Sequence, residues 1–562
     1  MQDKFKQCGR RPAAVALAIL ALLGAPVAAG ADCAAVRLDG RSLTLPQVAQ
    51  VARQGCPVEI DPRAAARVER SHALLLAYAA SDRPVYGLNR GVGLNKDQTL
   101  FEGGRLSPEV RAISERFNAT LLHSHSAAFG ELVPADVARA AMLIRLNTAL
   151  YGGTGMQPAL VRQYAEFLNR DITPVMFGNG SVGEADITVL PQIGLAMMGE
   201  GEVWHGGRRQ PAAEALRSQA LAPVRPFGKD ALSIVSANAY GAALATLAAI
   251  DAARALRQAD ALAALSLEAL DGNLAPILPV TQAQRPYDGQ RQAAAHMAEL
   301  LRGSALWSPD GARALQDPLS FRTASQVHGA ARDLLELLER QLAVQLNSSD
   351  DNPTVALDVA PAQDASPYER QFYVVDGPVR GAVLPSAGFD PSAWAQPLQG
   401  LAVALSQVAQ LSAQRTLRLT DPAFTRLPRF LSPGGGAIGY GPIQKTASSL
   451  ATQVRALSAP VLTDVQPQTG NIEDVGTNAP LVGQRVAAQL GHLRTLLAVE
   501  LLHASQAIDL RQRDGGPRAL GAGTGRLWRD FRAVVPFLAR DRRNDLDIVA
   551  AEHFLAGVPE RP

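Results

Sequence analysis

Apolar side chains recur at helical spacing in several long stretches. Leu334, Leu338 and Leu342 fall on one face, as do Leu401, Leu405 and Val408, and again Leu490, Leu493, Leu497 and Leu501. Steps of three and four residues gather such side chains into one stripe of an α-helix, so each stretch predicts a core helix. From Ala242 to Leu267 alanine dominates, which predicts a further helix thin enough for its neighbours to approach closely. From Leu43 to Asn95 short helical pieces are expected between glycine-rich turns. Within them Tyr86-Gly87-Leu88-Asn89-Arg90-Gly91-Val92-Gly93 reads as a loop, because glycine relaxes the backbone. Segments rich in Pro and Gly at Pro361–Pro367 and Ser432–Gly441 read as loops between helices, and the charged tail from Arg540 as a short cap. The expected fold class is mainly α, an extended helical bundle with a smaller N-terminal region that carries the tyrosine loop. The expected divisions are a leader at 1–31, an N-terminal region at 32–230, a helical bundle at 231–515 and a C-terminal cap at 516–562.

The leader follows from the first residues. Lys4, Lys6, Arg10 and Arg11 precede an apolar run from Ala13 to Leu23, and the small residues Ala29-Gly30-Ala31 follow. That layout is a secretory signal peptide, and the run is shorter than the roughly 20 apolar residues that span a bilayer. No later segment reads as a span, so a periplasmic or secreted protein without stable membrane insertion is expected. The Arg10-Arg11 pair leaves the route open between general and twin-arginine export. With Cys8 in the leader, Cys33 and Cys56 remain, and two thiols in an oxidising compartment predict a disulfide. The alternatives are a free buried pair or a lipid-modified Cys33, and Asp32 before Cys33 argues against the latter. Over 562 residues the net charge is +2, with no basic tract to bind nucleic acid.

Several motifs in order resemble the histidine, phenylalanine and tyrosine ammonia-lyases from about Leu43 to Arg511. The most specific is Asn347-Ser348-Ser349-Asp350-Asp351-Asn352-Pro353. Beside it stand Tyr86-Gly87-Leu88-Asn89, Ser124-His125, Arg145-Leu146-Asn147, Gly180-Ser181-Val182-Gly183, Gly199-Glu200-Gly201, Arg285-Pro286 with Gly289-Gln290, and Gln316-Asp317-Pro318. The resemblance implies a helical homotetramer whose active sites combine residues of three subunits. In that family an Ala-Ser-Gly segment cyclises into methylideneimidazolone, an electrophile that captures the substrate and makes ammonia a leaving group. Here Gly183 is followed by Glu184-Ala185-Asp186, with one residue fewer before the Gly199-Glu200-Gly201 anchor. Ala185 has no hydroxyl to eliminate. Ser181 is no substitute, because the family already has a serine there beside its triad. Other departures are Ser236-Ala237 for Asn-Gly after Gly228-Lys229-Asp230, Leu319 for a tyrosine, Phe389-Asp390-Pro391 for Phe-His-Gly, and Ile472-Glu473-Asp474-Val475 for Gln-Glu-Asp-His.

Candidate chemistry follows from what remains. Tyr86 matches the family's catalytic base; its phenolate would need donors or positive charge nearby, which Arg90 can supply. Arg322 matches the arginine that binds the substrate carboxylate in a forked pair, the alternative being an internal ion pair with Glu473. Glu184 and Asp186 stand where the electrophile would be, and mutual repulsion or burial can raise one of them into the range of a general acid; the alternative is a loop folded away from the site. Asn89, Arg90, His125, Ser236, Asn352 and Glu473 are candidate substrate contacts, with Asn347 and Asn352 also suited to stabilising the turn between helices. No metal is expected, since these acids have no His or Cys at ligand spacing, and no cofactor. Three functions compete: a lyase or isomerase working by acid–base catalysis on a small carboxylate-bearing substrate without the prosthetic group, a non-catalytic ligand-binding or scaffold protein, and an ordinary aromatic amino-acid or histidine ammonia-lyase.

Overall fold

A computed structural model describes residues 33–81, 83–101 and 107–557; the expected leader at 1–31 lies outside them. The alanine-rich stretch forms a 32-residue helix, α6 (Ala239–Leu270), after the short α5 (Asp230–Val235). The segment Asp230–Leu270 is long and apolar enough to cross a membrane, yet 94% of its most apolar window is buried inside the protein. Its apolarity is that of a core. Around α6 pack α4 (Ala135–Leu150), α8 (Ala324–Leu346), α9 (Ser392–Leu419) and the 37-residue α10 (Ala479–Gly515). The leucine stripes point inward as their spacing predicts. Leu338, Leu342, Leu401, Leu405, Val408, Leu493, Leu497 and Leu501 are all fully buried, and Leu490 nearly so.

The N-terminal region is built of α1 (Leu45–Gln54), α2 (Pro62–Ala80) and α3 (Pro108–His125). Thr44 and Gln47 form a capping box on α1, each bonding the other's backbone N–H. The expectation of short pieces here fails at α2, which runs 19 residues. Asp61 caps its first turn by accepting from the N–H groups of Arg63 and Ala64, and no glycine interrupts it. On either side of α1, Val36–Leu38 pairs in parallel with Val58–Ile60. The disulfide Cys33–Cys56 closes this unit, with its Cα atoms 5.6 Å apart. A loop of that size stabilises the fold by about 3 kcal/mol on the chain-entropy account. At the other end α11 (Ala522–Arg532) packs on α6 and α12 (Asn544–Gly557) on α10, and Phe531, Leu538, Ala551 and Leu555 join the main core.

Four buried charges tie α4 and the start of α5 to the turn after α8. Arg145 on α4 reaches Asp351 at 2.6 Å and Asp350 at 3.3 Å, while Lys229 pairs with the other oxygen of Asp351. Asp350 also accepts from the Asn238 N–H at 2.9 Å and from Gln345 Nε2 at 3.0 Å. The motif Asn347–Pro353 is thus an anchor. Asn347 bonds both backbone groups of Leu43 and the Asn147 side chain, so its part is structural. Removing one partner of a buried pair leaves a charge without compensation. Arg145→Met is therefore expected to cost about 3–5 kcal/mol in denaturant unfolding. A loss within experimental error would contradict this role.

Candidate functional site

Two loops distant in sequence meet on the segment 468–479. The first carries Tyr86. Gly93, at φ +57, lies against Thr469, and a Cβ there would come within 2.8 Å of the threonine methyl. The second runs from Gly180 to Asp186. The Val182 carbonyl accepts from the N–H groups of Thr477 at 3.0 Å and Asn478 at 2.7 Å. Gly183 is fixed as glycine by that docking: its φ is +88, and a Cβ would stand 2.4 Å from Thr477 Oγ1.

The Tyr86 phenol is half-buried, and its oxygen accepts the Gly93 N–H at 2.8 Å. Burial raises its pKa, the Gly93 bond lowers it, and the charge of Glu473 raises it again, for a net upward shift. The expected help from Arg90 is not made within the chain. Its guanidinium donates to the Asn89 carbonyl at 3.1 Å. Asn89 is buried and engaged inside its own loop, accepting from Val85 N–H at 2.7 Å and donating to the Arg83 carbonyl at 2.9 Å. It is a loop brace rather than a substrate contact. Glu473 pairs its backbone with Gln468 and stands near Tyr86.

Glu184 and Asp186, of which mutual repulsion or burial is expected to raise one, are both raised by burial and take different places. Asp186 is fully buried beneath the start of α6, accepting from the Gly241 N–H at 2.8 Å and the Ser181 hydroxyl at 3.0 Å. It caps a helix, where a carboxylate meets unsatisfied N–H groups. Burial pushes it up to about 7, against lowering by the bonds from Gly241, Ser181 and Tyr240, and Asp350 adds to the rise. Glu184 is half-buried, and its Oε1 is enclosed without a hydrogen-bond partner. Burial pushes Glu184 up to about 7, assisted by the charge of Asp390. Asp390 is the partner that motif reading missed, although its replacement of the Phe-His-Gly histidine marked the position. Between the two acids Ala185 is buried at φ +56, and the Asp186 N–H donates to the Ala237 carbonyl at 2.7 Å. Asn238 donates to the Gly183 carbonyl at 3.0 Å, which connects this loop to the four buried charges. Ser236, nearly fully buried, ends α5 beside it.

His125 ends α3 with Nδ1 on the Leu121 carbonyl at 2.9 Å and the Ser124 hydroxyl at 3.0 Å. The Asn352 side chain accepts from the Ser386 N–H at 2.9 Å, so it braces a turn. Arg322 sits on α7 (Leu319–Arg322) and lines an open pocket of about 400 Å³ with Gln316, Asp317, Leu319, Thr323 and Gln326. Its Nη1 donates to Gln316 at 2.5 Å and its Nε is buried without a partner. The alternative pairing of Arg322 with Glu473 is not made within the chain, and neither loop described above lines this pocket. Among the described residues no group of three or more His, Cys, Asp or Glu is placed to hold a metal ion.

Comparison with known proteins adds to this geometry. A family model described as aromatic amino acid lyase matches residues 43–533. A histidine ammonia-lyase of Stigmatella aurantiaca is 35% identical over 521 residues, 92% of this chain and 95% of that protein. The crystal structure of the ergothioneine-degrading enzyme ergothionase from Treponema denticola, bound to desmethyl-ergothioneine sulfonic acid, has a TM-score of 0.83 at 36% identity, covering 93% of this chain and 98% of that one. The histidine ammonia-lyase of Trypanosoma cruzi has a TM-score of 0.80 at 26% identity, covering 93% of each.

The burial of Asp186 has a consequence for stability. Its folded pKa stands above the unfolded value of 3.8, so the fold keeps the proton while the unfolded chain releases it. The stabilising contribution is complete below about pH 4 and is lost as pH rises through about 7. Asp186→Asn keeps an acceptor oxygen and removes the titration. A denaturant series across that window is expected to show a flatter pH dependence in the variant than in the parent; equal slopes would contradict the assignment.

Proposed function

The chain belongs to the aromatic amino acid lyase family, and from that membership we propose a lyase that removes the amine of a small carboxylate-bearing substrate by acid–base chemistry, without a backbone-derived electrophile. One observation carries the reading: Ala185 offers a methyl group where ring formation requires a serine hydroxyl. The nitrogen that would close the ring belongs to Asp186, bears a buried side chain and is already bonded to the Ala237 carbonyl. These residues do not fit the group.

An elimination without that electrophile needs an amine that departs unaided. A quaternary ammonium meets the requirement, since it has no N–H proton for a base to take and leaves as a neutral tertiary amine. Ergothioneine, a histidine-derived betaine with a trimethylated α-nitrogen, is such a substrate, and the similarity to the Treponema enzyme supports this class. The half-buried Glu184 beside Asp390 suits a cationic leaving group, and a cation bound there would draw Glu184 back toward ionisation. In the proposed step Tyr86 first releases its phenol proton to solvent, favoured by the positive charge of the bound quaternary ammonium, and the phenolate takes the proton from the carbon next to the one bearing nitrogen. The C–H electrons form the double bond, the C–N bond breaks, and its pair leaves on the amine. Arg322 holds the carboxylate through its free donors. Tyr86 and Arg322 line separate places in one chain, so we further propose a homotetramer that joins them. Export is proposed as well, supported by the disulfide.

A second reading has its own support. Curated relatives at 30–35% identity are named histidine ammonia-lyases, and over the whole chain they favour an ordinary ammonia-lyase more directly. Against it stands the chemistry of residues 184–186.

Purified protein offered ergothioneine and histidine separates the readings. The expected outcome is trimethylamine and an unsaturated carboxylate in equal amounts from ergothioneine, with turnover lowered by about 10²-fold or more in Tyr86→Phe. Ammonia released from histidine, with ergothioneine untouched, would establish the second reading instead.

A further inference from the structure

A buried ion pair stands behind the short helix that carries Arg322. Arg415 of α9 and Glu500 of α10 are both fully enclosed. Their contact is bidentate, Nε to Oε1 at 2.6 Å and Nη2 to Oε2 at 3.0 Å. Ser266 of α6 adds its hydroxyl to Oε1 at 2.8 Å. The remaining arm of the guanidinium, Nη1, donates to the Ser320 carbonyl at 3.1 Å, in the middle of α7.

Stability alone does not call for this arrangement. Removing two charges from water costs about what their attraction returns, and apolar residues of similar volume hold a core as well or better. An ion pair adds direction. Here three long helices fix the guanidinium, and its one outward bond grips α7. That helix has four residues, too few to hold its own orientation. Ser320 and Phe321 face the core, whereas Leu319, Arg322, Thr323 and Gln326 line the pocket. The pocket set follows the one-face spacing of a helix. Gripping the chain at Ser320 therefore sets the angle at which Arg322 enters the pocket. Gln316 and the buried Nε leave the guanidinium with donors still to place, and a displacement of about 1 Å at such a group can cost about 10²-fold in turnover efficiency.

We propose that Arg415, held by Glu500, is a positioning residue for Arg322 and thereby for the substrate carboxylate. The proposal rests on the role given to Arg322 in the proposed function.

The test replaces the pair by apolar residues in the double variant R415M/E500L, with R415K as a conservative single change, and reads two signals. Hydrogen exchange at residues 319–323 reports the grip without any substrate. Steady-state kinetics with ergothioneine report its consequence. The double variant is expected to unfold cooperatively, to exchange faster at 319–323, and to raise KM about tenfold while kcat changes less than about threefold, the pattern of lost ground-state binding. R415K keeps the charge but not the fork, and is expected to fall between. Unchanged exchange at 319–323, or unchanged KM in either folded variant, would overturn the positioning role. R322A separates the two layers. If it leaves KM unaltered while exchange in the double variant is still accelerated, the carboxylate site is wrongly placed and the functional reading fails, not the grip.

Discussion

Two cations and two carboxylates share the interior where α4 and the start of α5 meet the turn after α8. Arg145, Lys229, Asp350 and Asp351 sum to zero charge and none is exposed to water. Such a cluster is tolerable only when every member is paired, because a lone buried charge costs several kcal/mol. The requirement dictates geometry. It fixes the turn after α8 against α4 and the start of α5, and through Asp350 it orders the Asn238 backbone that precedes α6. Asn238 in turn holds the Gly183 carbonyl, so the position of the acidic loop is inherited from charges that never meet a substrate.

In that loop the two acids take different places. Asp186 turns inward to cap α6, and Glu184 is left at the edge of the site with one oxygen enclosed and unbonded. Between them Ala185 supplies only a methyl group. A loop with those three residues presents a half-buried carboxylate, and a carboxylate attracts a cation. In the proposed function the chemistry is proton transfer, with the leaving group required to be good in its own right.

The helical bundle could be read in advance because leucine spacing reports directly on which face is buried, as at Leu401, Leu405 and Val408. The disulfide was accessible because only Cys33 and Cys56 stand outside the first 31 residues. Side-chain direction was not. Asp186 and Glu184 are two residues apart and chemically alike, yet the N–H groups of α6 claim one and not the other. Asn89 looked equally available until its own loop consumed both ends of its amide. Asp390 is marked by the Phe389-Asp390-Pro391 segment, but only the fold brings it to Glu184. Tyr86 and Arg322 match residues of one active site in the family pattern but sit in different places within one chain, which no linear spacing reveals.

The central claim is chemical, and mass spectrometry reaches it without any substrate. A proteolytic peptide covering residues 171–208 of the purified protein is predicted to have the mass of its unmodified sequence. A peptide lighter by two waters, with the loss localised between Gly180 and Thr188, would mean that the backbone cyclises after all and would contradict the account.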